Sequence, residues 1–148
     1  MFDEKYIPTS KMLASILNTN NISSFIKNNS CNMETRRFTD YLKDLCKEKN
    51  IVREQVFFHS HIERTYGHQI FRGLHTPSRD KTIQLAFGFG LNVEETQTLL
   101  RLAKHSTLYP KLTRDAVFIF CLQRKKSAAQ VQELLDELEL APLLEKDK

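Results

Sequence analysis

Four of the five histidines, at positions 59, 61, 68 and 75, fall in one short stretch of the chain. Imidazole is the side chain that most often ligates transition metals or moves protons near neutral pH. A zinc site needs closely paired ligands with cysteine or carboxylate support, and no such spacing occurs around these histidines. We therefore expect no metal and no cofactor, and we interpret the histidines as surface residues beside a polyanionic partner.

The other reactive side chains do not form a catalytic pattern. The sequence has no glycine-rich phosphate loop, no Ser-His-Asp order with supporting context and no pair of carboxylates in a plausible pocket. Its three cysteines, at positions 31, 46 and 121, are widely spaced, and two of them have apolar neighbours, which is typical of buried, reduced thiols. The sequence therefore predicts a binding protein and not an enzyme.

The formal charge of +4 is unevenly distributed along the chain. Residues 35–81 contain ten basic and six acidic side chains, residues 82–126 seven and three, and residues 127–148 two and six. A basic middle followed by an acidic end is compatible with a polyanionic partner, although a solvated face gives the same pattern.

Length and composition indicate an ordinary globular protein without a membrane anchor. The chain has 148 residues, of which 41% are hydrophobic and 27% charged. Its longest apolar run, at 116–122, is far shorter than the roughly 20 residues that a membrane span needs. Residues 1–5 do not combine a basic stretch with an apolar core, so we expect no secretory signal and a cytoplasmic location.

Apolar residues recur at helical intervals through most of the chain, which predicts an all-α fold. Two helices are expected around 13–17 and 22–26, with Thr9 or Ser10 capping the first and a linker at 28–32. The remaining helices are expected near 38–46 with Thr39 as a cap, near 53–59, near 63–71, from 78 to Gly90, from Asn92 to about 103, at 114–124, and from Ser127 onwards.

The last two helix pairs resemble each other at a shift of 35 residues. That shift superimposes Arg79-Asp80 on Arg114-Asp115, Asn92 on Ser127, Glu95 on Gln130, Gln97 on Gln132, and Leu99-Leu100 on Leu134-Leu135. Five of 23 aligned positions are identical, so duplication of a helical hairpin and coincidence between two amphipathic helix pairs are both compatible with the sequence.

Residues 50–73, with the sequence NIVREQVFFHSHIERTYGHQIFRG, and the Thr-Pro-Ser that follows at 76–78 resemble the repressor-like helix-turn-helix family of the lambda-repressor type. The matching positions are Val56, Ile62, Gln69-Ile70, Gly73 and Pro77-Ser78. The similarity spans five helices, from Phe38 to Ala103, without a gap. The sequence RTYGHQIF, together with PSRDK at 77–81, further resembles an uncharacterised bacterial subgroup of that family.

The resemblance implies a five-helix DNA-binding domain at 35–104, an N-terminal helical extension at 1–34, and a C-terminal helical hairpin at 105–148 packed on that domain. In this family the second helix of the motif enters the major groove and the first crosses the phosphate backbone. The DNA-binding residues carried over by the resemblance are Arg53, Glu63, Arg64, Thr65, Tyr66, His68, Gln69, Arg72, His75 and Arg79.

The resemblance also implies a role for individual side chains. Arg64 is expected to bind guanine through two hydrogen bonds, Gln69 to pair with adenine, and Glu63 to accept from cytosine N4. Arg53 is expected to bind a phosphate on one edge of the groove. The residues that flank the next loop, His75 and Arg79, are expected to contact the other edge.

Two positions depart from the family pattern in the turn itself. His61 occupies a position that is usually glycine because the backbone there is left-handed, at a cost on the order of 1 kcal/mol. Glu63 places a negative charge where Ser or Thr is common, so this residue either reads cytosine or marks a loss of DNA binding.

A further departure is double and self-compensating. Phe57 stands where the family usually has a small alanine, and Gly67 stands where it usually has a large aliphatic residue. These two positions face each other in the family's fold. A large-for-small change opposite a small-for-large change conserves core volume, so we expect the fold to survive and Phe57 to lie against Gly67.

The sequence thus predicts sequence-specific binding of double-stranded DNA by a transcriptional regulator that inserts residues 63–71 into the major groove. A homodimer is the expected assembly, because one short helix reads few bases. The alternative is a helix-turn-helix fold reused as an adaptor for a protein partner. DNA binding requires one continuous face for Arg53, Arg64, Arg72 and Arg79, whereas scattered positions favour the adaptor.

Overall fold

The computed structural model describes residues 8–145 and is helical, without β-strands, over that part of the chain. Its α-helices are α1 (Thr9–Asn18), α2 (Ile22–Asn28), α3 (Phe38–Glu48), α4 (Arg53–Ser60), α5 (Arg64–Phe71), α6 (Arg79–Phe89), α7 (Val93–Leu102), α8 (Thr113–Gln123) and α9 (Ala128–Glu137). The predicted all-α class is therefore confirmed. The expectation of no leader at residues 1–5 lies outside the described residues. Within them, no helix has the length and apolar character needed to cross a bilayer.

Residue contacts divide the chain into two compact units, with the boundary between Thr35 and Arg36. The first unit contains α1, α2 and a short 3-10 turn at Ser30–Asn32. Asn21 caps α2 through its side chain, which accepts a hydrogen bond from the amide of Ser24 at 3.1 Å. The predicted side-chain cap of α1 is absent, because α1 already begins at Thr9 and the residue before it is a proline.

In the second unit, short polar side chains and left-handed residues set most helix boundaries. Ser78, Asn92 and Ser127 each accept a hydrogen bond from the third amide of the helix that follows, as their spacing predicted. Gly90 ends α6 in the left-handed conformation, with φ of 70°. Thr39 is not a cap, because α3 begins one residue earlier, at Phe38.

Helix α6 lies at the centre of the second unit. All its residues from Thr82 to Phe89 are buried, and it packs against α4, α7 and α9. A helix that is buried on every side needs partners on every side. The other helices supply fully buried side chains to the same core, among them Leu42, Leu45, Val56, Ile70, Leu99, Leu100, Phe118 and Leu135.

The 35-residue shift recurs in the ion pairs of the second unit. Arg79 donates two hydrogen bonds to the carboxylate of Asp115, and Arg114 donates two to the carboxylate of Asp80. Arg79 also donates to the carbonyls of residues 106 and 107, and Arg114 donates to those of residues 141 and 142, each 35 positions later. The two arginines therefore make reciprocal contacts of the same kind.

The backbone of the two hairpins follows the same plan. Gln97 bonds to the main chain of Leu108, and Gln132 bonds to that of Leu143, at the same shift. Left-handed residues also recur at this shift, at Gly90 and Lys125 and again at Lys104 and Glu139. A chance similarity between amphipathic helices does not explain matched loop contacts, so α6–α7 and α8–α9 are two versions of one structural unit.

Candidate functional site

The connection between α4 and α5 consists of only three residues, His61, Ile62 and Glu63. His61 has φ of 58° and ψ of 38°, the left-handed conformation predicted for this turn. The amide of Ile62 donates to the carbonyl of Phe57 at 3.0 Å, and the Ile62 side chain is buried. The turn is therefore tight and anchored in the core, which fixes α5 relative to α4.

Glu63 is the N-cap of α5, and each of its carboxylate oxygens is bonded to a backbone amide of that helix. One carboxylate oxygen accepts from the amide of Thr65 and the other from the amide of Tyr66, both at 2.9 Å. These backbone hydrogen bonds hold the pKa of Glu63 below its usual value. A carboxylate at a helix N-terminus is also favoured by the helix dipole. Glu63 thus has a structural role that sequence spacing did not reveal, and its contact with cytosine N4 stays a prediction.

The expected contact between Phe57 and Gly67 in the core is confirmed. A Cβ added to Gly67 would lie 2.5 Å from both Cδ1 and Cε1 of the Phe57 ring, so the ring occupies the space that a larger side chain would need. Phe57 also makes edge-on contacts with the rings of His68 and Phe71. Helix α5 is therefore packed onto α4 through an aromatic residue.

The carboxylate of Glu54 on α4 contacts two of the predicted DNA-binding side chains of α5. Glu54 accepts from Nε of Arg64 at 3.0 Å and lies 3.1 Å from Nε2 of His68. The hydrogen bond from Arg64, followed by that from His68, holds the pKa of Glu54 below its usual value. Both members of the Arg64–Glu54 pair are exposed, so the pair is weak and Arg64 is able to exchange Glu54 for another anion.

The other residues predicted on this surface have different degrees of exposure. Thr65 and Arg72 are exposed, whereas Tyr66 and Gln69 are half-buried. The ring of Tyr66 lies 5.7 Å from that of the exposed His75. These five residues therefore lie on or near α5 with their side chains at least partly open to solvent.

The two remaining arginines have very different surroundings. The guanidinium of Arg53 lies 4.7 Å from the centre of the Phe71 ring, which holds it at the α4–α5 junction. Arg79, in contrast, donates its hydrogen bonds to Asp115 and to two loop carbonyls. The expectation that Arg79 contacts phosphate is therefore corrected, because its donors serve the fold. The four arginines therefore do not form one free basic face, which counts in favour of the adaptor. A DNA-binding surface would need other basic side chains in place of Arg79.

Sequence reasoning missed basic residues that tertiary structure brings beside α5. Arg37 and Lys104 lie with His75 around a cavity of about 270 Å³ at the end of α5. A larger groove of about 1020 Å³ passes the α4–α5 turn, where His59 and His61 are joined by Lys126. Both groups combine residues that are tens of positions apart in the chain, so sequence spacing did not predict them. Within residues 8–145, no cluster of three or more potential metal ligands is present.

No family model, no curated protein and no solved structure matches this chain. The resemblance to repressor-like proteins therefore stays a prediction from residues 50–78, and the function is argued from the geometry of the helices and their side chains.

Proposed function

We propose that this chain binds double-stranded DNA as a transcriptional regulator, with α5 in the major groove and α4 across the phosphate backbone. The observation that carries the proposal is the exposure of Arg64 and Thr65 at the start of α5, directly after a tight, left-handed turn. In two-helix DNA-binding motifs, the N-terminal part of the second helix contacts the base edges. The arginine supplies donors suited to guanine, and the half-buried Gln69 supplies an amide suited to adenine.

The negative charge of Glu63 does not contradict this proposal. Its two carboxylate oxygens are bonded to amides of α5, and the positive end of the helix dipole lies beside them. The repulsion that an unbonded carboxylate would exert on a phosphate is reduced accordingly. Glu63 thus orders the N-terminus of α5, where the proposed base contacts begin.

Basic side chains beside α5 supply the phosphate contacts of the proposal. Arg53 is held over Phe71, and Arg37, His75 and Lys104 surround the smaller cavity at the end of α5. Phosphate contacts fix the register of a protein on the duplex and make binding depend on salt. In the proposal these residues take the place of Arg79.

The proposal predicts different effects for base-reading and phosphate-binding residues. Arg64→Ala or Gln69→Ala is expected to cost about 1–3 kcal/mol at the preferred site and to relax its sequence preference. Arg53→Ala is expected to weaken binding to all sequences and to reduce the salt dependence. Selection of bound duplexes from a random pool, followed by fluorescence anisotropy titrations at several salt concentrations, measures both effects.

Lys111→Ala is the matched control, because this exposed lysine lies between α7 and α8. It is expected to leave site preference unchanged. Equal losses from Arg64→Ala, Gln69→Ala and Arg53→Ala on every sequence would contradict the assignment of α5 as the base-reading helix. Failure of the intact chain to enrich any duplex would contradict specific DNA binding itself.

Glu54 provides a second prediction for the same surface. Since Glu54 pairs with Arg64 and His68, it competes with DNA for both side chains. Glu54→Gln is expected to strengthen DNA binding modestly, because an exposed ion pair is weak, and the gain should be larger at low salt. Combination with Arg64→Ala should remove most of the gain. An unchanged or lower affinity of Glu54→Gln would show that Arg64 does not leave Glu54 when DNA binds.

A specific observation also favours the adaptor function. Phe58 on α4 is 79% exposed and lines the larger groove, whereas Arg64 is already paired with Glu54. A large exposed aromatic residue beside a groove is typical of protein interfaces. If the selection enriches no duplex, this groove becomes the first surface to test, with Phe58→Ala as the variant.

A further inference from the structure

The structural repeat reveals a helix face that is covered in the first hairpin and open in the second. In α6, Gln84 donates to the carbonyl of Ser60, and Gly88 lies against the same serine, so this side of α6 faces α4. The positions 35 residues later are Ile119, which is half-buried, and Gln123, which is exposed.

The neighbouring position shows the same contrast. Leu85 is 0% exposed, whereas its counterpart Phe120 is 43% exposed. Phe120 also belongs to a row of residues at helical spacing along α8 that are exposed, apart from the half-buried Ile119. We call this surface the α8 face; it comprises Leu112, Ala116, Ile119, Phe120, Gln123 and Arg124.

Arg124 covers part of the apolar surface of the α8 face. Its guanidinium lies 3.7 Å from the centre of the Phe120 ring. Such stacking shields an exposed ring from water while keeping the charge solvated. The α8 face therefore presents an aromatic residue and a cation that are already in contact with each other.

The charges of the second hairpin are separated along its length. Arg124 and Lys126 lie in the short connection between α8 and α9. Helix α9 contains no basic residue, and its C-terminal half carries Glu133, Asp136 and Glu137. Packed helices joined by a short loop run in roughly opposite directions, so the loop end of the hairpin is basic. At the other end the acidic side chains of α9 outnumber the two basic ones beside them, the exposed Lys111 and Arg114, which is paired with Asp80.

We propose that the α8 face is the interface between two copies of this chain, related by a twofold axis, with their α8 helices antiparallel. The basic loop end of each hairpin then lies beside the acidic end of its partner, and Phe120 of each copy packs against the partner's α8. A twofold interface requires a surface that complements itself, and this hairpin offers both charges and the apolar centre on one chain. The proposal does not rest on DNA binding.

Sedimentation equilibrium of the intact chain over a range of concentrations tests the interface. We expect a reversible dimer with a dissociation constant in the micromolar range, typical of a modest interface. Phe120→Glu is expected to weaken the dimer by about 30-fold or more, because it removes the central aromatic residue and places like charges together. Leu74→Glu is the matched control, since Leu74 is 60% exposed after α5 and lies outside both the α8 face and the groove beside Phe58.

Charge reversal tests the antiparallel arrangement separately. Arg124→Glu alone is expected to weaken the dimer, and the double variant Arg124→Glu with Glu137→Arg is expected to restore it, because both charges are exchanged at each end. Thermal unfolding by circular dichroism verifies that each variant is folded. The proposal would be overturned by a chain that stays monomeric at about 100 µM, or by a dimer whose affinity Phe120→Glu leaves unchanged. It would also be overturned if the double variant dimerised no more tightly than Arg124→Glu alone. A monomer in which residues 9–32 protect Phe120 from solvent would instead assign the face to the chain's own N-terminal unit.

Discussion

Asp115→Ala is expected to lower the free energy of unfolding by about 3 kcal/mol, because it leaves a largely buried arginine without its partner. The Asp115 side chain is 3% exposed and that of Arg79 25%. Asp115 accepts two hydrogen bonds from Arg79 and one from the amide of Tyr109. The remaining exposure of Arg79 places the expected loss at the lower end of the range for broken buried pairs. Denaturation in urea, followed by circular dichroism, measures the change.

The structural repeat supplies a matched control for this prediction. Asp80 makes the same two hydrogen bonds to Arg114, but its side chain is 42% exposed. Arg114 is as buried as Arg79, at 22% exposed, so the difference lies at the carboxylates: water can enter the site that Asp80 vacates, and only Asp115 also binds a backbone amide. Asp80→Ala is therefore expected to cost only about 1 kcal/mol. Equal losses from Asp115→Ala and Asp80→Ala would show that burial does not set the strength of these pairs.

The same carboxylate predicts how stability depends on pH. Burial raises the pKa of Asp115, but the hydrogen bonds from Arg79 and the Tyr109 amide and the charges of Arg79 and Arg114 outweigh it, so the pKa lies below its usual 3.8. A depressed folded-state pKa means that the stabilisation is complete above pH 3.8 and is lost as the pH falls through the lower folded-state value. Asp115→Asn should make the free energy of unfolding depend less on pH in the acid range, as measured by urea denaturation at a series of pH values. An unchanged pH dependence would show that other carboxylates determine the loss of stability in acid.

Gly88→Ala is expected to lower the free energy of unfolding by about 2 kcal/mol, since overpacking outweighs a gain of up to 1 kcal/mol in helix propensity. A Cβ at Gly88 would overlap Oγ of Ser60 and would lie 2.9 Å from the carbonyl oxygen of Val56. The carbonyl belongs to the backbone of α4 and is unable to turn away, so α4 and α6 must separate. Urea denaturation measures this loss as well.

Two further variants locate the cause of that loss. Ser60→Gly in the Gly88→Ala background is expected to restore part of the stability, because it removes the overlapping hydroxyl and its Cβ. Gln123→Ala changes the counterpart of Gly88 in the second hairpin, which is exposed, and is expected to alter stability by less than about 0.5 kcal/mol. A Gly88→Ala protein as stable as the original chain would show that α4 and α6 are not in closest contact at this glycine.

Local sequence patterns predicted the helices well, because helix boundaries depend on neighbouring residues. Ser78, Asn92 and Ser127 cap the helices that they were expected to cap, and His61 adopts the predicted left-handed conformation. The wrong predictions of helix caps were also errors of only one or two residues. At Thr39, the helix begins one residue before the expected cap, a shift that a polar side chain near the start of a helix does not reveal.

The candidate site was less predictable, because a side chain's role depends on which partners reach it. Arg79 and Arg64 look alike in the sequence, yet one is bonded to Asp115 inside the second unit and the other forms an exposed pair with Glu54. Arg37 and Lys104 were missed for the same reason, since they reach the end of α5 only after α3 and α7 have packed.

The contact between Phe57 and Gly67 was expected from the resemblance to repressor-like proteins, whereas the sequence by itself determined the helical class, most helix boundaries and the 35-residue shift between the hairpins. These features follow from periodicity, capping and side-chain size, which act between residues at fixed spacing. Only the tertiary structure decided that Arg79 serves the core, and that the α8 face stays open while its counterpart on α6 is buried. The first outcome depends on the contact of Arg79 with Asp115 on α8, and the second on the packing of α4 against α6. Charges and apolar surfaces acquire a partner, or remain exposed, only when distant segments meet.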